Sequence, residues 1–243
     1  MNTAREAGFR LVTVVATQRI SERMHRLRLA GENLVRFDTP ANLHLRLHVP
    51  DAAQRTVAAR FGGREDITRY YTIRRIDAAQ GWIDVDFVLH EAAGPACDFA
   101  RRARVGDVCG ISGPCGLGVK PARDYLLAGD ETALPAIARI LETLPPEARG
   151  TVLIDTHDKE AVCDLVRPDG IDLCWFCRHQ CGHGDFIAAT KKAISTLAGE
   201  AEDHFIWIAG EFSDCEALRP ALKVTQKRRY INVAYWRAME AVR

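Results

Sequence analysis

The chain has 243 residues, of which 47% are hydrophobic and 27% charged, values that exclude a disordered or fibrous protein and suit one large or two medium-sized domains. The net charge of +1 gives no reason to expect a nucleic-acid surface or a polybasic membrane patch. No apolar run approaches the roughly 18 residues of a membrane span, and the first ten residues lack the apolar core of a signal peptide. We therefore expect a cytoplasmic protein, whose eight cysteines are free thiols or ligands rather than disulfides.

The first half of the chain alternates apolar and polar residues, which is typical of half-buried strands. The candidate strands are residues 11–17, 24–30, 43–49, 69–76, 82–89 and 108–112. The polar residues expected to face outward between their apolar neighbours are His44, Arg46, His48, Asp84 and Asp86. About six short strands at this spacing predict an antiparallel β-barrel. A short helix over 97–103, opened by Gly94-Pro95-Ala96, precedes the last strand, and its N-terminus is a natural seat for an anion.

The second half alternates strands and helices. Strands are predicted over 125–128, 151–154, 172–177, 205–209 and 230–235, and helices over 132–144 and 185–197. A further helix begins at the capping-box spacing of Ser213 and Glu216 and is interrupted by Pro220. This alternation predicts a parallel, doubly wound sheet. The expected fold is an N-terminal antiparallel β-barrel domain, residues 1–119, followed by a C-terminal α/β nucleotide-binding domain with a parallel sheet, residues 120–243.

The string Arg69-Tyr70-Tyr71-Thr72-Ile73-Arg74 carries the most specific chemistry. On a strand, an aromatic ring beside a guanidinium and a hydroxyl suits a flavin: the ring covers the isoalloxazine, the hydroxyl bonds a heteroatom, and the arginine neutralises the pyrophosphate. An ordinary barrel strand with a tyrosine pair is the alternative interpretation.

Motifs along nearly the whole chain resemble those of the siderophore-interacting protein family, which are FAD-containing ferric-siderophore reductases of the ferredoxin–NADP⁺ reductase superfamily. The motifs that carry the resemblance are R-x-Y-T-x-R at 69–74, D-F-V-L-H at 86–90, G-P-A at 94–96, G-D at 106–107, G-P-x-G at 113–116, A-G-D-E-T-A-L-P-A-I at 128–137, W-I-A-G-E at 207–211, A-L-R at 217–219 and Y-W-R at 235–237. Their order along the chain is also that of the family.

The resemblance implies three groups of FAD-binding residues in the barrel. Arg69, Tyr71 and Thr72 contact FAD, with Thr72 the best candidate for tuning the flavin through a hydrogen bond. Val88 and His90 line the flavin or its ribityl chain. The backbone N–H groups of Gly94, Pro95, Ala96 and Cys97 face the pyrophosphate, although proline itself has no N–H to give. The family usually has Ser at Cys97 and Trp at Phe99, so we expect one hydrogen bond to phosphate to be missing.

The resemblance also implies a nicotinamide side. Its residues are Asp130, Glu131, Thr132, Ala133, Gly210, Glu211, Tyr235 and Trp236. The turn at 129–132 follows the first strand of the parallel sheet, where such sheets bind ligands, but it is not a G-x-G-x-x-G fingerprint. Helix capping by Asp130 or Thr132 is the plainer interpretation and is expected in either case. Asp155 ends the second strand, where an acidic side chain binds the ribose 2′-OH of NAD in Rossmann sheets. The ferredoxin–NADP⁺ reductase superfamily binds its nucleotide in a different way. The sequence therefore does not distinguish NADH from NADPH as the donor.

Two further patterns leave alternatives open. Arg46 stands where the family tends to carry Lys and would attract an anionic ferric siderophore. A solvated barrel face is the simpler interpretation of Arg46 and the histidines beside it, and the one we favour. The stretch Cys174-x₂-Cys177-x₃-Cys181, with His179 and His183, has soft metal ligands at short spacing, but Cys174 and Cys177 lie in a predicted strand and no second C-x-x-C follows. Free thiols are the simpler interpretation, and we expect no metal site in this stretch.

The function expected from these arguments is that of an FAD-dependent ferric-siderophore reductase. NADH or NADPH would pass a hydride to FAD, which would give single electrons to Fe(III) and release Fe(II). No side-chain acid, base or nucleophile is required. Three alternatives remain: a flavin reductase of the same superfamily with another acceptor or with ferredoxin as donor, a non-catalytic siderophore- or flavin-binding protein, and a metal-sensing module built on the cysteine–histidine stretch.

Overall fold

The computed structural model describes residues 8–49, 67–90, 94–200 and 202–238. By its backbone contacts the chain divides into two compact units, Met1–Gly118 and Val119–Arg243. None of the described helices is both long and apolar enough to cross a lipid bilayer.

The first unit is a closed antiparallel barrel, as predicted. Its strands are β1 (Arg10–Arg19), β2 (Met24–Ala30), β3 (His44–His48), β4 (Thr68–Asp77), β5 (Trp82–Val88) and β6 (Val108–Cys115). They are hydrogen-bonded in the order β1-β2-β5-β4-β3-β6, and β6 closes the barrel on β1. A single helix of the described residues, α1 (Pro95–Arg102), lies between β5 and β6 in the chain.

The barrel interior is filled by the apolar set that alternation predicted. Fully buried members include Leu27, Leu29, Leu45, Leu47, Ile83, Val85 and Phe87. Each leaves water almost completely, which is worth about 1.5–3 kcal/mol per side chain of this size. Period-2 alternation therefore identified the inward face of β2, β3 and β5 correctly.

The expectation that Asp84 and Asp86 face solvent is wrong. Both are buried, because β2 pairs with β5 in a register that sets Arg28 opposite Asp84 and Arg26 opposite Asp86. Each arginine donates two hydrogen bonds to its carboxylate, at 2.7 and 2.9 Å for Asp84 and at 2.6 and 2.8 Å for Asp86. The arginines thus shield the carboxylates from water and satisfy them with bidentate hydrogen bonds.

The solvated face predicted for β3 is also wrong at its two histidines. His44 and His48 are buried, and Arg46 between them is partly exposed. The Nε2 atom of His48 lies 2.8 Å from the hydroxyl of Ser112 on β6, and the ring of Phe9 packs edge-on against the imidazole at 5.0 Å. Alternation predicts which face a side chain takes, but it does not reveal that another segment covers that face.

The second unit holds a five-stranded parallel sheet, also as predicted. Its strands are β7 (Asp124–Asp130), β8 (Arg149–Thr156), β9 (Gly170–Cys177), β10 (His204–Glu211) and β11 (Tyr230–Trp236), and its helices are α2 (Leu134–Thr143), α3 (His183–Glu200) and α4 (Phe212–Leu218). The spatial order is β11-β10-β7-β8-β9. When the five strands are numbered 1 to 5 in chain order and read from β9 to β11, the order is 3-2-1-4-5, as in Rossmann-type sheets. The chain adds β8 and β9 on one side of β7 and then β10 and β11 on the other side, so the reversal point of the sheet lies between β7 and β10.

Two helix boundaries in this unit follow the proline signals, whereas the N-cap of α4 differs from the expectation. Pro135 lies in the first turn of α2, where its missing N–H costs nothing, and α4 ends at Leu218, two residues before Pro220. The expected N-cap of α4 at Ser213 is wrong, because the helix begins at Phe212 and its N-cap lies two residues earlier than expected. Glu211 is the N-cap, and its carboxylate accepts the backbone N–H of Ser213.

Candidate functional site

The Arg-Tyr-Thr motif lies on β4, and its side chains have different environments. The ring of Tyr71 is half-buried and packs on Phe87, with ring centroids 4.3 Å apart. Burial raises the pKa of the Tyr71 hydroxyl, Cys97 at the start of α1 adds to the rise, and Arg69 opposes it. Thr72 is buried and Arg69 is exposed. The fold therefore gathers Arg69, Tyr71 and Cys97, although Cys97 is distant in sequence.

The start of α1 has the properties of an anion seat. Gly94 is the N-cap, Pro95 follows, and no side chain caps the helix. The N–H groups of Ala96 and Cys97 have no partner within the helix by its geometry, and the helix dipole is positive at this end. Among the described residues, no atom lies within 4 Å of a Cβ built on Gly94, so there is space beside the N-cap, while the side chains of Ala96 and Cys97 are buried.

A basic pocket of about 240 Å³ lies next to the strand that leads into α1. Its lining residues are Arg19, Glu22, Arg23, Leu89, His90 and Arg101. His90 is exposed, and its carbonyl accepts a hydrogen bond of 2.9 Å from Arg101, while Val88 is half-buried at the end of β5. Three guanidinium groups and an uncapped helix start suit the charge of a pyrophosphate, so the residues present fit FAD.

Arg46 and Tyr70 form a polar patch on neighbouring strands of the barrel. They are register partners on β3 and β4, and an Arg46 Nη2 group donates a 3.1 Å hydrogen bond to the Tyr70 hydroxyl. The guanidinium carbon lies 5.4 Å from the centroid of the Tyr70 ring, which is 64% exposed. The patch presents a cation on an aromatic surface, a chemistry that suits an anionic, aromatic ligand.

The nicotinamide-side residues of the sequence analysis converge on the carboxyl edge of the parallel sheet. Asp130 ends β7, Gly210 and Glu211 end β10, and Tyr235 and Trp236 end β11. The indole Nε1 of Trp236 donates to Asp130 Oδ2 at 2.7 Å, across 106 residues of sequence. The reversal point of an open α/β sheet is where such folds bind dinucleotides, and these residues surround it.

Gly129 explains why the turn after β7 is so compact. A Cβ at this position would lie 2.5 Å from the Cβ of Ala133 and 2.5 Å from the carbonyl oxygen of Ala209. Only glycine permits β7, β10 and the start of α2 to approach so closely. Ala133 is fully buried, and Glu131 reaches across to accept the backbone N–H of His157 at 3.0 Å.

The capping expected from Asp130 or Thr132 is wrong in detail. The N-cap of α2 is Ala133, which has no side-chain cap. Asp130 instead accepts the backbone N–H of Thr132 at 2.8 Å, one residue before the cap, and the Thr132 hydroxyl at 2.5 Å. The turn is therefore held by an Asx-type bond rather than by a cap.

Sequence reasoning missed a charged network at the ends of β8 and β9. The Oδ2 atom of the buried Asp155 accepts from Arg178 Nε at 2.7 Å and Nη2 at 2.5 Å, and it lies 3.1 Å from His183 Nδ1. The other ring nitrogen of His183 lies 2.7 Å from Asp214 Oδ1. Burial alone lowers the pKa of Arg178, but Asp155 outweighs it and the pKa rises. The only local signal was the position of Asp155 and Arg178 at strand ends.

The cysteine–histidine stretch does not converge on one point. His183 faces Asp155 and Asp214, and His179 packs edge-on against His157 with centroids 4.7 Å apart. Cys174 is exposed, whereas Cys177 is buried, and the Cys181 thiol donates to the carbonyl of Cys177. Among the residues that the structure describes, no three His, Cys, Asp or Glu side chains are grouped so as to hold a metal ion.

Comparisons with known proteins bear on both units. A family model described as "Siderophore-interacting FAD-binding domain" matches residues 13–117, and one described as "Siderophore-interacting protein" matches 122–239. The chain is similar to the ferric vibriobactin reductase ViuB of Vibrio cholerae, at 28% identity over 94% of this chain and 89% of that protein. It is also similar to the NADPH-dependent ferric-chelate reductase of Escherichia coli, at 29% identity over 95% and 93%.

The structural comparison agrees. The siderophore-interacting protein SipS from Aeromonas hydrophila superposes with a TM-score of 0.81 at 30% identity, covering 96% of this chain and 93% of that one. The FAD-binding family model over the barrel, together with relatives named as ferric reductases, makes the protein an FAD-containing oxidoreductase. Within that class, the chain belongs to the siderophore-interacting protein family, so the resemblance found in its motifs is confirmed.

Proposed function

We propose that this chain is an FAD-dependent ferric-siderophore reductase with NADH or NADPH as its hydride donor. Relatives named as ferric vibriobactin reductase and NADPH-dependent ferric-chelate reductase support the substrate class and the donor. In this proposal residues 1–119 bind FAD and residues 120–243 bind the nicotinamide nucleotide. The observation that carries it is the start of α1, which no side chain caps, so that its free N–H groups can bind the pyrophosphate of FAD. The pocket with three arginines, lined by Leu89 and His90 after β5 and by Arg101 in the last turn of α1, adds positive charge to the same unit.

The barrel residues have distinct tasks in holding FAD. The backbone N–H groups of Ala96 and Cys97, between the N-cap Gly94 and the helix body, bind the pyrophosphate, and Pro95 fixes the first turn. Arg69 adds positive charge. Tyr71 offers an aromatic surface that Phe87 holds in place, and the Thr72 hydroxyl is the group that tunes the flavin ring by hydrogen bonding. Val88 and His90 line the same cofactor.

The carboxyl edge of the sheet binds the nicotinamide nucleotide. Its candidate residues are Asp130, Glu131, Thr132, Ala133, Gly210, Glu211, Tyr235 and Trp236. When bound, FAD supplies the redox chemistry, because it accepts a hydride and can release its two electrons singly. Hard oxygen ligands hold Fe(II) more weakly than Fe(III), so reduction frees the metal from its chelator.

Arg46 is the candidate contact for the ferric siderophore. Its partly exposed guanidinium lies beside the exposed ring of Tyr70, so it can attract an anionic chelate by charge while the ring contacts the aromatic groups that some chelators carry. No acid or base is required of the chain, since electrons rather than protons pass to the iron.

The experiment is a reconstitution of the full chain with FAD. We expect visible flavin absorption after gel filtration, bleaching by NADH or NADPH, and formation of Fe(II), trapped by a coloured chelator, when a ferric siderophore is added. Protein that binds no FAD would contradict the proposal. So would FAD-loaded protein that reduces quinones or dyes with either nucleotide but leaves ferric chelates untouched, or that accepts electrons only from reduced ferredoxin.

A further inference from the structure

The segment that follows β11 is tied to the ends of two other strands. The indole N–H of Trp236 donates to Asp130 at the end of β7, and the backbone N–H of Ala238 donates to Glu211 Oε1 at the end of β10, at 3.0 Å. Between these two bonds, the guanidinium of Arg237 lies 3.7 Å from the centroid of the Phe212 ring. Three consecutive residues are thus anchored to the carboxyl edge of the sheet.

Asp130 can serve this purpose only as a carboxylate. Three donors point at it: the Trp236 indole N–H at Oδ2, and the Thr132 N–H and hydroxyl at Oδ1. An amide has one accepting oxygen and would turn its NH₂ group toward a donor in either orientation. The residue is only 5% exposed, so water cannot replace a lost partner.

Glu211 repeats the arrangement on β10. One of its oxygens accepts the N–H of Ala238, and the other accepts the N–H and the hydroxyl of Ser213. Through the bond to the Ser213 N–H, Glu211 also caps α4. Burial raises the pKa of Glu211, but the hydrogen bonds from Ser213 and Ala238 outweigh it and lower the pKa overall. In both carboxylates, therefore, each oxygen already accepts a hydrogen bond from the protein itself.

Gly210 leaves the space that this arrangement needs. A Cβ at position 210 would lie 3.0 Å from Asp130 Oδ2, the oxygen that accepts the Trp236 indole. The Trp236 ring itself remains 40% exposed although its one polar atom is bound. An aromatic face that is fixed and yet exposed to solvent at the reversal point of the sheet is suited to contact a planar ring.

We propose that Asp130 and Glu211 are positioning residues that fix the Trp236 ring as one wall of the nicotinamide seat, rather than groups that contact a cofactor themselves. The inference rests on the proposed function only in taking a nicotinamide nucleotide as the ligand of this edge. In this arrangement Trp236 contacts the nucleotide, whereas Asp130 and Glu211 do not.

The test is a double-mutant cycle of Asp130→Asn and Trp236→Phe in the full chain, read by binding of NAD⁺ and NADP⁺. The tryptophan fluorescence of the wild type minus that of Trp236→Phe isolates the Trp236 signal, and we expect the bound nucleotide to quench it. We expect Asp130→Asn to weaken binding about tenfold, as for a lost hydrogen bond to a charged group. In the Trp236→Phe background the same change should have an effect of less than about twofold, since no indole N–H remains to be fixed.

The matched control is Asp124→Asn at the opposite end of β7, which should bind as the wild type does. If Asp130→Asn does not fold, Glu211→Gln is measured as a single variant, because Glu211 holds the same segment at Ala238 rather than at the indole. Nucleotide binding and Trp236 quenching equal to those of the wild type in that variant would then overturn the inference. Multiplicative effects of the two substitutions, or a Trp236 signal that the nucleotide does not change, would overturn the inference. The readout needs no turnover, so protein that binds nucleotide through Trp236 but reduces no ferric siderophore would refute the proposed function alone.

Discussion

The barrel and the parallel sheet both bury charged side chains, but they neutralise them differently. In the barrel, each buried carboxylate meets an arginine directly across two adjacent strands, as Arg26 meets Asp86 and Arg28 meets Asp84. In the sheet, Asp155 collects donors from the end of β9 and the start of α3, and His183 links it to Asp214 of α4.

The difference shows what each unit uses its charges for. Pairs fixed by strand register strengthen a wall and leave no polar group available to a ligand. Networks assembled at the carboxyl edge hold loops and strand ends in place, where ligands of α/β sheets bind. Five experiments test these two uses of charge and the ligand sites of the two units.

Asp86→Ala should lower the free energy of unfolding by about 3 kcal/mol, because it leaves the guanidinium of Arg26 partly buried without its carboxylate. Denaturant titration measures the change. The double variant Arg26→Met/Asp86→Ala should regain most of the loss, since two apolar side chains replace the pair without a stranded charge. An Asp86→Ala variant as stable as the wild type would show that the barrel wall does not depend on the pair.

Asp155→Asn should cost about 2 kcal/mol, since Arg178 and His183 both bond the lost charge. The control is Asp172→Asn on β9, whose side chain is exposed and should change stability by less than about 0.5 kcal/mol. Equal effects of the two substitutions would mean that the network at the carboxyl edge adds nothing to folding. Denaturant unfolding again supplies the measurement.

Lowering the pH should release the Trp236 anchor before ordinary aspartates protonate. Burial raises the pKa of Asp130, while hydrogen bonds from Thr132 and Trp236 and the charge of Arg178 oppose the rise. The nearby Cys215 stays protonated throughout, because burial and the surrounding carboxylates raise its pKa to about 12. We expect the KM for NADH or NADPH to increase up to about tenfold as the pH falls through the Asp130 pKa.

Asp130→Asn provides the control for that titration, because it should start from the weakened value and show no further step. The contribution of Asp130 to the free energy of unfolding changes in the opposite direction, since it decreases as the pH rises. The folded chain binds this proton more tightly than the unfolded chain does, so the contribution of Asp130 to stability is fully present below its unfolded pKa and is lost as the pH rises through the folded pKa. A KM that stays flat in the wild type down to the pH of ordinary carboxylates would contradict the assignment.

Cys97→Ser should tighten FAD binding about fivefold, the equivalent of one added hydrogen bond of about 1 kcal/mol. The serine hydroxyl would lie at the start of α1, where no side chain caps the helix. Cys97→Ala is the matched control, since it is close in size and adds no donor. Dissociation constants from flavin fluorescence quenching distinguish the variants, and equal affinities of the serine and alanine forms would count against pyrophosphate binding at this helix start.

Arg46→Ala should have the smallest effect, about a twofold to threefold loss of kcat/KM with an anionic ferric chelate, because a partly exposed charge acts through a screened field. The loss should shrink in high salt and be absent with a neutral chelate. Tyr70→Phe keeps the ring but removes the hydroxyl that accepts from Arg46, so it separates positioning from charge. An effect that is independent of salt would assign Arg46 a structural role.

Local sequence patterns were sufficient to predict the two architectures and the inward faces of the barrel strands. Alternation with a period of two is a local property of the backbone, so it identified Leu45, Leu47, Val85 and Phe87 as inward-facing without any knowledge of their partners. The same locality explains its errors at Asp84, Asp86 and the two histidines of β3, where a second segment covers the outward face.

Which charged groups meet across distant parts of the sequence depends on the tertiary fold. Asp130 and Trp236 are 106 residues apart, and Asp155 meets His183 across 28 residues. Such contacts depend on the order β11-β10-β7-β8-β9, which brings the carboxyl ends of distant strands to one edge. No local period encodes that order, because strand neighbours are chosen by burial of whole faces and by the handedness of the crossovers between them.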